Sequence, residues 1–153
     1  MFKLKRLLVV AAVVAALFGF ASPAGAGPVT NAAVARVTAV ISLKDQRMKV
    51  TVNGWKRYSW KVSTARRGYR TPTGTFRPTR MYERYYSKKY HHSPMPWSVF
   101  FYHGFAIHGT NAIGHLGRPA SHGCIRLHPD NARKLFDLVK QYGSANTTIV
   151  VTP

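Results

Sequence analysis

The chain has 153 residues, with 23 Lys and Arg against 4 Asp and Glu, and a net charge of +19. This length corresponds to one ordinary domain, which excludes a multidomain chain. Because 46% of the residues are hydrophobic and recur periodically, the chain can bury a core, which excludes disorder throughout.

Residues 1–26 have the organisation of a secretory signal peptide. Three basic residues at positions 3, 5 and 6 precede an uncharged run over residues 7–21, and the small residues at 24–26 suit cleavage by a signal peptidase. The run is shorter than the roughly 20 residues that a membrane-spanning helix needs, which favours cleavage over an uncleaved anchor. We therefore expect a signal peptide at 1–26, a short linker at 27–35, export to the periplasm or cell wall, and no stable membrane span after cleavage.

The strong positive charge attracts polyanions through a long-range field. An exported chain meets envelope polymers rather than nucleic acid, and its basic residues are scattered instead of forming a recognition helix. We therefore expect no nucleic-acid partner. For any single basic residue, a solvated surface position remains the alternative.

The first third of the expected domain has the alternation of β-strands. Apolar residues recur at every second position over residues 37–43, 48–52 and 58–62. Asn53-Gly54 separates the second and third runs, and this dipeptide favours a type I′ turn because both residues tolerate positive φ. The pattern predicts an antiparallel β-meander.

The rest of the chain is less regular. Residues 64–96 lack a sustained period and are punctuated by Pro and Gly, which predicts a long loop or lid. Residues 97–102 and 105–108 are typical of strands, and 109–123 is again rich in loop residues. A helix is predicted from Pro129 to a stop at Gly143, and a last strand over 147–152.

Cys124 is the one cysteine of the chain, so it cannot form an internal disulfide. It is either a buried, inert residue or a reactive thiol. A thiol becomes a nucleophile when a nearby imidazole takes its proton. His122 precedes Cys124 by only two residues and cannot easily turn back onto the sulfur, whereas His108, at the end of a predicted strand, is free to lie beside it.

The backbone around the cysteine offers further groups for acyl transfer. Gly123 allows a tight turn, and adjacent N–H groups at Gly123 and Cys124 could receive a developing oxyanion. No acidic residue lies nearby in sequence to orient the imidazole, a task that a backbone carbonyl can perform.

These residues carry a family resemblance. Ser121-His122-Gly123-Cys124-Ile125-Arg126, preceded by Ile107-His108-Gly109-Thr110, resembles the catalytic signature of L,D-transpeptidases of the YkuD family. The segment Thr71-Pro72-Thr73-Gly74-Thr75-Phe76 resembles a second motif of that family. The resemblance covers residues 36–151, and the expected catalytic domain is 36–153.

The resemblance implies a mainly β fold with one or two helices, an L,D-transpeptidase-like β-sandwich with a lid loop. It implies that Cys124 attacks a peptidoglycan tetrapeptide stem, forms a thioester with loss of the terminal D-Ala, and passes the acyl group to an amine. The partners would be peptidoglycan stem peptides and, as a further acyl acceptor, an envelope protein.

Residue roles also follow from the resemblance. It makes His108 the general base, the Gly109 carbonyl its orienting partner, and Gly123 and Cys124 the oxyanion donors. Ser121 and His122 would shape the substrate pocket. Arg126 would hold a substrate carboxylate, with a structural tie to a neighbouring backbone carbonyl as the alternative.

The predicted lid contains four tyrosines that would cover bound substrate and exclude water: Tyr82, Tyr85, Tyr86 and Tyr90. Ordinary packing of these rings on a basic surface is the alternative.

The chain's seven histidines also raise the question of a metal site. Their spacings do not match ligand patterns, and acidic residues are scarce, so we expect no metal and no cofactor. His128 precedes Pro129 and is expected to cap the helix.

Two alternatives to a transpeptidase remain open. An L,D-carboxypeptidase or amidase would use the same cysteine with a different acceptor. A non-catalytic basic wall-binding protein would retain the fold without the chemistry.

Overall fold

The computed structural model describes residues 36–153 of the chain. This range contains eleven strands and one α-helix. The expected signal peptide at 1–26 and linker at 27–35 lie outside the described residues. No helix within residues 36–153 is long and apolar enough to cross a membrane. The strands are β1 (Val37–Ser42), β2 (Arg47–Val52), β3 (Trp55–Lys61), β4 (Gly74–Phe76), β5 (Arg80–Tyr82), β6 (Tyr86–Ser87), β7 (Ser93–Pro94), β8 (Ser98–Tyr102), β9 (Phe105–Gly109), β10 (Ile125–Leu127) and β11 (Thr147–Thr152), and the helix is α1 (Pro129–Tyr142).

The first sheet has the strand order β3-β2-β1-β11-β4. The predicted antiparallel meander of β1, β2 and β3 is confirmed, and alternate residues of β1 and β2 are buried. Asn53 and Gly54 have φ values of 54° and 83°, as the predicted hairpin turn requires. The last strand, β11, pairs in parallel with β1 and so joins the two ends of the domain.

The second sheet has the order β10-β9-β8-β5 and contains the elements that carry the cysteine and histidine motifs. Strands β8 and β9 are antiparallel, whereas β9 and β10 run in parallel. Helix α1 packs against β9, β8 and β1. Its buried face, together with buried residues of both sheets, forms the main core. The expected mainly β architecture is confirmed, with one α-helix among the described residues.

The ends of α1 follow the predicted pattern. Pro129 occupies the first turn, and the side chain of His128 accepts a hydrogen bond from the Asp130 N–H. Gly143 ends the helix with a φ of 85°, a conformation that glycine adopts without strain.

The prediction of a continuous loop over residues 64–96 is wrong in part. This stretch contains four short strands: β4 at an edge of the first sheet, β5 at an edge of the second, and β6 and β7 paired with each other. Each has only two or three residues, too few for an alternating pattern to be visible in the sequence.

Candidate active site

The cysteine lies in a tight loop closed by Ser121. The buried Ser121 Oγ donates to the Cys124 carbonyl oxygen over 2.7 Å and accepts from the Gly123 N–H over 3.0 Å. Gly123 has a φ of 132°. A Cβ atom at this position would lie 2.5 Å from the Phe105 ring and 2.9 Å from the Arg70 carbonyl oxygen, so the loop requires glycine here.

Thr71 ties a second segment to this loop. Its buried hydroxyl donates to the Gly123 carbonyl oxygen over 2.8 Å and accepts from the Ala65 N–H over 3.0 Å. One side chain therefore satisfies backbone groups of both segments, and the cysteine loop is held from two sides.

The parallel pairing of β9 and β10 brings the cysteine and His108 motifs together. Ile125 pairs with Ile107, and Arg126 pairs with His108. Because side chains alternate along a strand, Cys124 and Arg126 project from the face that His108 also occupies. Cys124 immediately precedes β10, and it packs beside Ala106 of β9. The topology thus places thiol and imidazole on one face of adjacent strands.

The His108 ring is held in one orientation. Its Nδ1 lies 2.7 Å from the carbonyl oxygen of Gly109, and since a carbonyl only accepts, Nδ1 carries the proton. Nε2 is then the basic nitrogen. Burial lowers the pKa of His108 from 6.5 to about 4; the bond to Gly109 opposes this effect and the nearby Arg126 charge adds to it. The imidazole is therefore neutral at neutral pH and able to accept a proton.

The thiol of Cys124 lies against an apolar cluster. Cys124 packs against the cluster formed by Met95, Phe100 and Ala106, as does Tyr85. This burial raises the pKa of the thiol, while a backbone hydrogen bond at Ala106 and the positive charge of Arg126 lower it. The site thus holds a protonated thiol on the same strand face as a neutral imidazole.

Arg126 is held mainly by its backbone. It exchanges two hydrogen bonds with Ser63, of 3.0 Å and 2.9 Å. Its guanidinium makes only a long contact of 3.5 Å with the Ala120 carbonyl oxygen, at the limit for a hydrogen bond. Most of its donors therefore remain open to a ligand.

His122 faces a group of aromatic and basic side chains. Arg66 Nη2 lies 2.8 Å from His122 Nε2. The Tyr90 ring stacks on the imidazole with centroids 4.6 Å apart, and the Tyr69 ring meets it edge-on at the same distance. The pKa of His122 is lowered by burial and by the charges of Arg66, Arg126 and Lys89.

Tyr82 lies on β5, and its ring contacts Tyr85 and Phe100. Phe100 belongs to the apolar cluster against which Cys124 and Tyr85 both pack. The tyrosines in contact with the cysteine motif are Tyr69 and Tyr90.

Two groups around the motif had no distinguishing signal in the sequence. Arg66 was one basic residue among many, and its nearness to His122 depends on the backbone bridge between Ala65 and Ser121. Thr71 lies in the segment that resembles the second family motif, but nothing in the neighbouring sequence indicates which groups its hydroxyl bonds to. No group of three His, Cys, Asp or Glu side chains within residues 36–153 is arranged to hold a metal ion.

A thiol on the same strand face as a neutral, oriented imidazole is an arrangement suited to acyl transfer through a thioester. The imidazole can accept the thiol proton and return it to a leaving amine.

Comparison with known proteins identifies the family. The model of the YkuD family, the L,D-transpeptidase catalytic domain, matches residues 36–151, so the chain belongs to this family. The probable L,D-transpeptidase ErfK/SrfK of Escherichia coli (strain K12) is 36% identical over 89 residues, which are 51% of this chain and 28% of that protein.

Solved structures of L,D-transpeptidases share the fold. One from Mycobacterium smegmatis matches with a TM-score of 0.69 and 23% identity, over 78% of this chain and 59% of that chain. One from Stackebrandtia nassauensis matches with a TM-score of 0.66 and 26% identity, over 77% of this chain and 56% of that chain. The chain thus spans under a third of the curated relative and under two thirds of these structures.

Proposed function

We propose that this protein is an exported peptidoglycan L,D-transpeptidase that works through a Cys124 thioester. The observation that carries the proposal is the placement of Cys124 and His108 on one face of β9 and β10, with His108 Nδ1 committed to the Gly109 carbonyl. Membership of the YkuD family supplies the substrate class, peptidoglycan stem peptides.

In the first half-reaction, the sulfur of Cys124 attacks the carbonyl of the L-centre of the third stem residue. His108 Nε2 accepts the thiol proton and gives it to the departing amine, so that the peptide bond breaks and D-Ala leaves. The third residue is then held on Cys124 as a thioester.

The oxyanion formed during attack needs backbone donors. We assign the Cys124 N–H as the first donor to the oxyanion, because the Gly123 N–H already donates to Ser121 Oγ. The Gly123 N–H joins when Ser121 Oγ releases it. Ser121 therefore acts in the proposal as the residue that shapes this loop.

In the second half-reaction, an amine attacks the thioester carbonyl, and an amide forms as the thiol leaves. The amine passes its proton to His108 and then to the sulfur. An amine from a second stem gives a crosslink, an amine of an envelope protein gives protein attachment, and water gives an L,D-carboxypeptidase.

Product analysis separates these possibilities. The protein is incubated with a disaccharide-tetrapeptide, with and without an added amine acceptor, and the products are identified by mass spectrometry. A transpeptidase gives a crosslinked dimer or an acceptor adduct together with free D-Ala. Tripeptide as the sole product would indicate a carboxypeptidase, and unchanged donor bound to the protein would indicate a wall-binding protein.

Export forms the remaining part of the proposal. The sequence pattern of residues 1–26 is that of a cleaved signal. Protein recovered from the envelope of expressing cells should begin at Gly27. Recovery of a cytoplasmic chain that retains residue 1 would contradict this part.

A further inference from the structure

One basic side chain, Arg66, contacts His122, and the charges of Arg126 and Lys89 also act on this imidazole. Arg66 and Lys89 lie outside the cysteine motif. Arg66 donates to the imidazole over 2.8 Å, and its guanidinium lies 5.0 Å from the centre of the Tyr69 ring. Lys89 Nζ lies 5.6 Å from the centre of the Tyr90 ring, which itself stacks on His122. Arg126 follows two residues after Cys124. The group comprises side chains from three separate segments of the chain.

Backbone contacts hold Arg66 beside the cysteine loop. Its N–H donates to the Ser121 carbonyl oxygen over 3.0 Å, and its own carbonyl accepts from the Tyr69 N–H over 3.0 Å in a turn that contains Gly68. The position of Arg66 is therefore determined by the same loop that presents the nucleophile, although the side chain itself is exposed.

No Asp or Glu side chain within residues 36–153 forms an ion pair with this cluster. The four acidic residues all lie within the described range. Two form ion pairs elsewhere, Asp137 with Arg133 and Glu83 with Lys140, and Asp130 lies beside His128 at the start of α1. The fourth, Asp45, lies in the turn between β1 and β2.

Burial lowers the pKa of Arg126, and the nearby Arg66 charge lowers it further. The charges of Arg66, Arg126 and Lys89 also add to the lowering of the pKa of His122 by burial. A surface that gathers like charges beside a nucleophile is stabilised when an anion binds.

The ligand chemistry follows from the donors. Arg66 uses one N–H on His122 and keeps others for a planar anion, which a guanidinium can hold through two parallel hydrogen bonds. A stem peptide presents carboxylates at the third residue, when that residue is a diamino diacid, and at the terminal D-Ala. Because these groups flank the carbonyl that must reach Cys124, a peptide carboxylate fits the location better than the phosphate of a wall polymer.

Resting on the proposed function, we propose that Arg66 and Lys89, with Arg126, form a carboxylate-binding subsite for the donor stem. Arg66 is the principal residue of the subsite, and His122 with its flanking Tyr69 and Tyr90 rings holds the guanidinium in place. Lys89 contributes charge from the segment between β6 and β7. The protein therefore selects donors whose carboxylate is free over donors in which it is amidated.

The test measures binding separately from chemistry. The Cys124→Ala protein is titrated calorimetrically with three tetrapeptides: one with free carboxylates, one amidated at the side chain of a diamino diacid third residue, and one amidated at the terminal D-Ala. The same titrations are run on two double variants, in which Arg66→Gln or Arg67→Gln is combined with Cys124→Ala. Arg67 is the matched control, because it is the adjacent exposed arginine and its loss changes net charge equally.

Arg66→Gln should weaken binding of the free acid about tenfold or more, as expected for a charge-assisted hydrogen bond. One of the two amidated peptides lacks the carboxylate that Arg66 binds, and Arg66→Gln should have little effect on the binding of that peptide. The peptide that is insensitive to Arg66→Gln therefore shows which carboxylate the subsite recognises. Lys89→Gln should act in the same direction but less strongly, with Lys88→Gln as its control.

Three results would overturn the subsite: equal weakening of all three peptides by Arg66→Gln, an equal effect of Arg67→Gln, or competition by inorganic phosphate with no discrimination among the peptides. Acylation of the wild-type protein is measured in parallel. If an acyl adduct forms but binding does not depend on Arg66, the subsite is refuted and the transpeptidase proposal stands. If binding depends on Arg66 but no adduct forms, the subsite stands and the transpeptidase proposal is refuted.

Discussion

Arg126 of β10 and His108 of β9 are register partners in the parallel pair, and the Arg126 charge acts on both reactive groups. Burial raises the pKa of the Cys124 thiol, and the Arg126 charge opposes that rise. Burial lowers the pKa of His108, and the Arg126 charge adds to that fall. One guanidinium thus favours a thiolate over a thiol and a neutral imidazole over an imidazolium. Its position opposite the base gives Arg126 an electrostatic effect independent of any contact with substrate.

Replacing Arg126 with Gln should therefore raise the pKa of Cys124. The thiolate population should then fall, and alkylation by iodoacetamide near neutral pH should slow in proportion. Arg126→Lys keeps the charge and should react nearly as fast as wild type. Alkylation is followed by intact mass across the pH range, and identical profiles for Arg126→Gln and wild type would contradict the electrostatic role.

His108→Gln should reduce formation of the acyl-enzyme by about 10² to 10⁴, the usual cost of losing a general base. Because the pKa of His108 is lowered to about 4, the wild-type acid limb should lie near pH 4 instead of near 6.5. The reason is that His108 becomes protonated, and so stops acting as a base, only when the pH falls below its pKa. Single-turnover rates against pH measure this. His122→Gln serves as comparison, and an acid limb that vanishes in His122→Gln but persists in His108→Gln would reverse the roles.

The same buried imidazole should make stability depend on pH. The unfolded chain binds a proton at His108 below about pH 6.5, whereas the folded protein excludes it until about pH 4. Stability should consequently fall as the pH is lowered through this window, by roughly 3 kcal/mol in free energy of unfolding. His122, whose pKa is also lowered, acts in the same direction.

Urea unfolding at pH 7, 5.5 and 4 tests this dependence. His108→Gln should flatten the curve, while His115→Gln, at an exposed position, should leave it close to wild type. An equally steep curve in His108→Gln would show that other groups cause the loss.

Thr71→Val should destabilise the cysteine loop. It removes the hydroxyl that bonds to the Gly123 carbonyl and the Ala65 N–H, and an unsatisfied buried polar group costs about 1–3 kcal/mol. The melting temperature should fall by roughly 4 °C or more. Thr73→Val is the matched control, since Thr73 is exposed two residues away. Equal melting temperatures for the two variants would show that the two hydrogen bonds of the Thr71 hydroxyl do not stabilise the loop.

The sequence predicted those parts of the fold that depend on local pattern. Alternation specified β1, β2 and β3, positive φ tolerance specified the Asn53-Gly54 turn, and Pro129 and Gly143 bounded α1. The short strands within residues 64–96 were missed because two or three residues carry no measurable period.

The prediction of the candidate site had a comparable limit. The motifs identified Cys124 and His108, but their juxtaposition depends on the parallel pairing of β9 with the three-residue strand β10. No local signal specifies that pairing. For the same reason, the contacts of Tyr90 and Arg66 with His122 could not be anticipated from the sequence.

The most direct test of the account is the intact mass of the protein after brief exposure to a disaccharide-tetrapeptide. We predict a mass increase equal to the donor minus D-Ala, located at Cys124 by peptide mapping and absent from Cys124→Ala. Crosslinked product formed by the Cys124→Ala protein, or an adduct at any residue other than Cys124, would contradict the central claim.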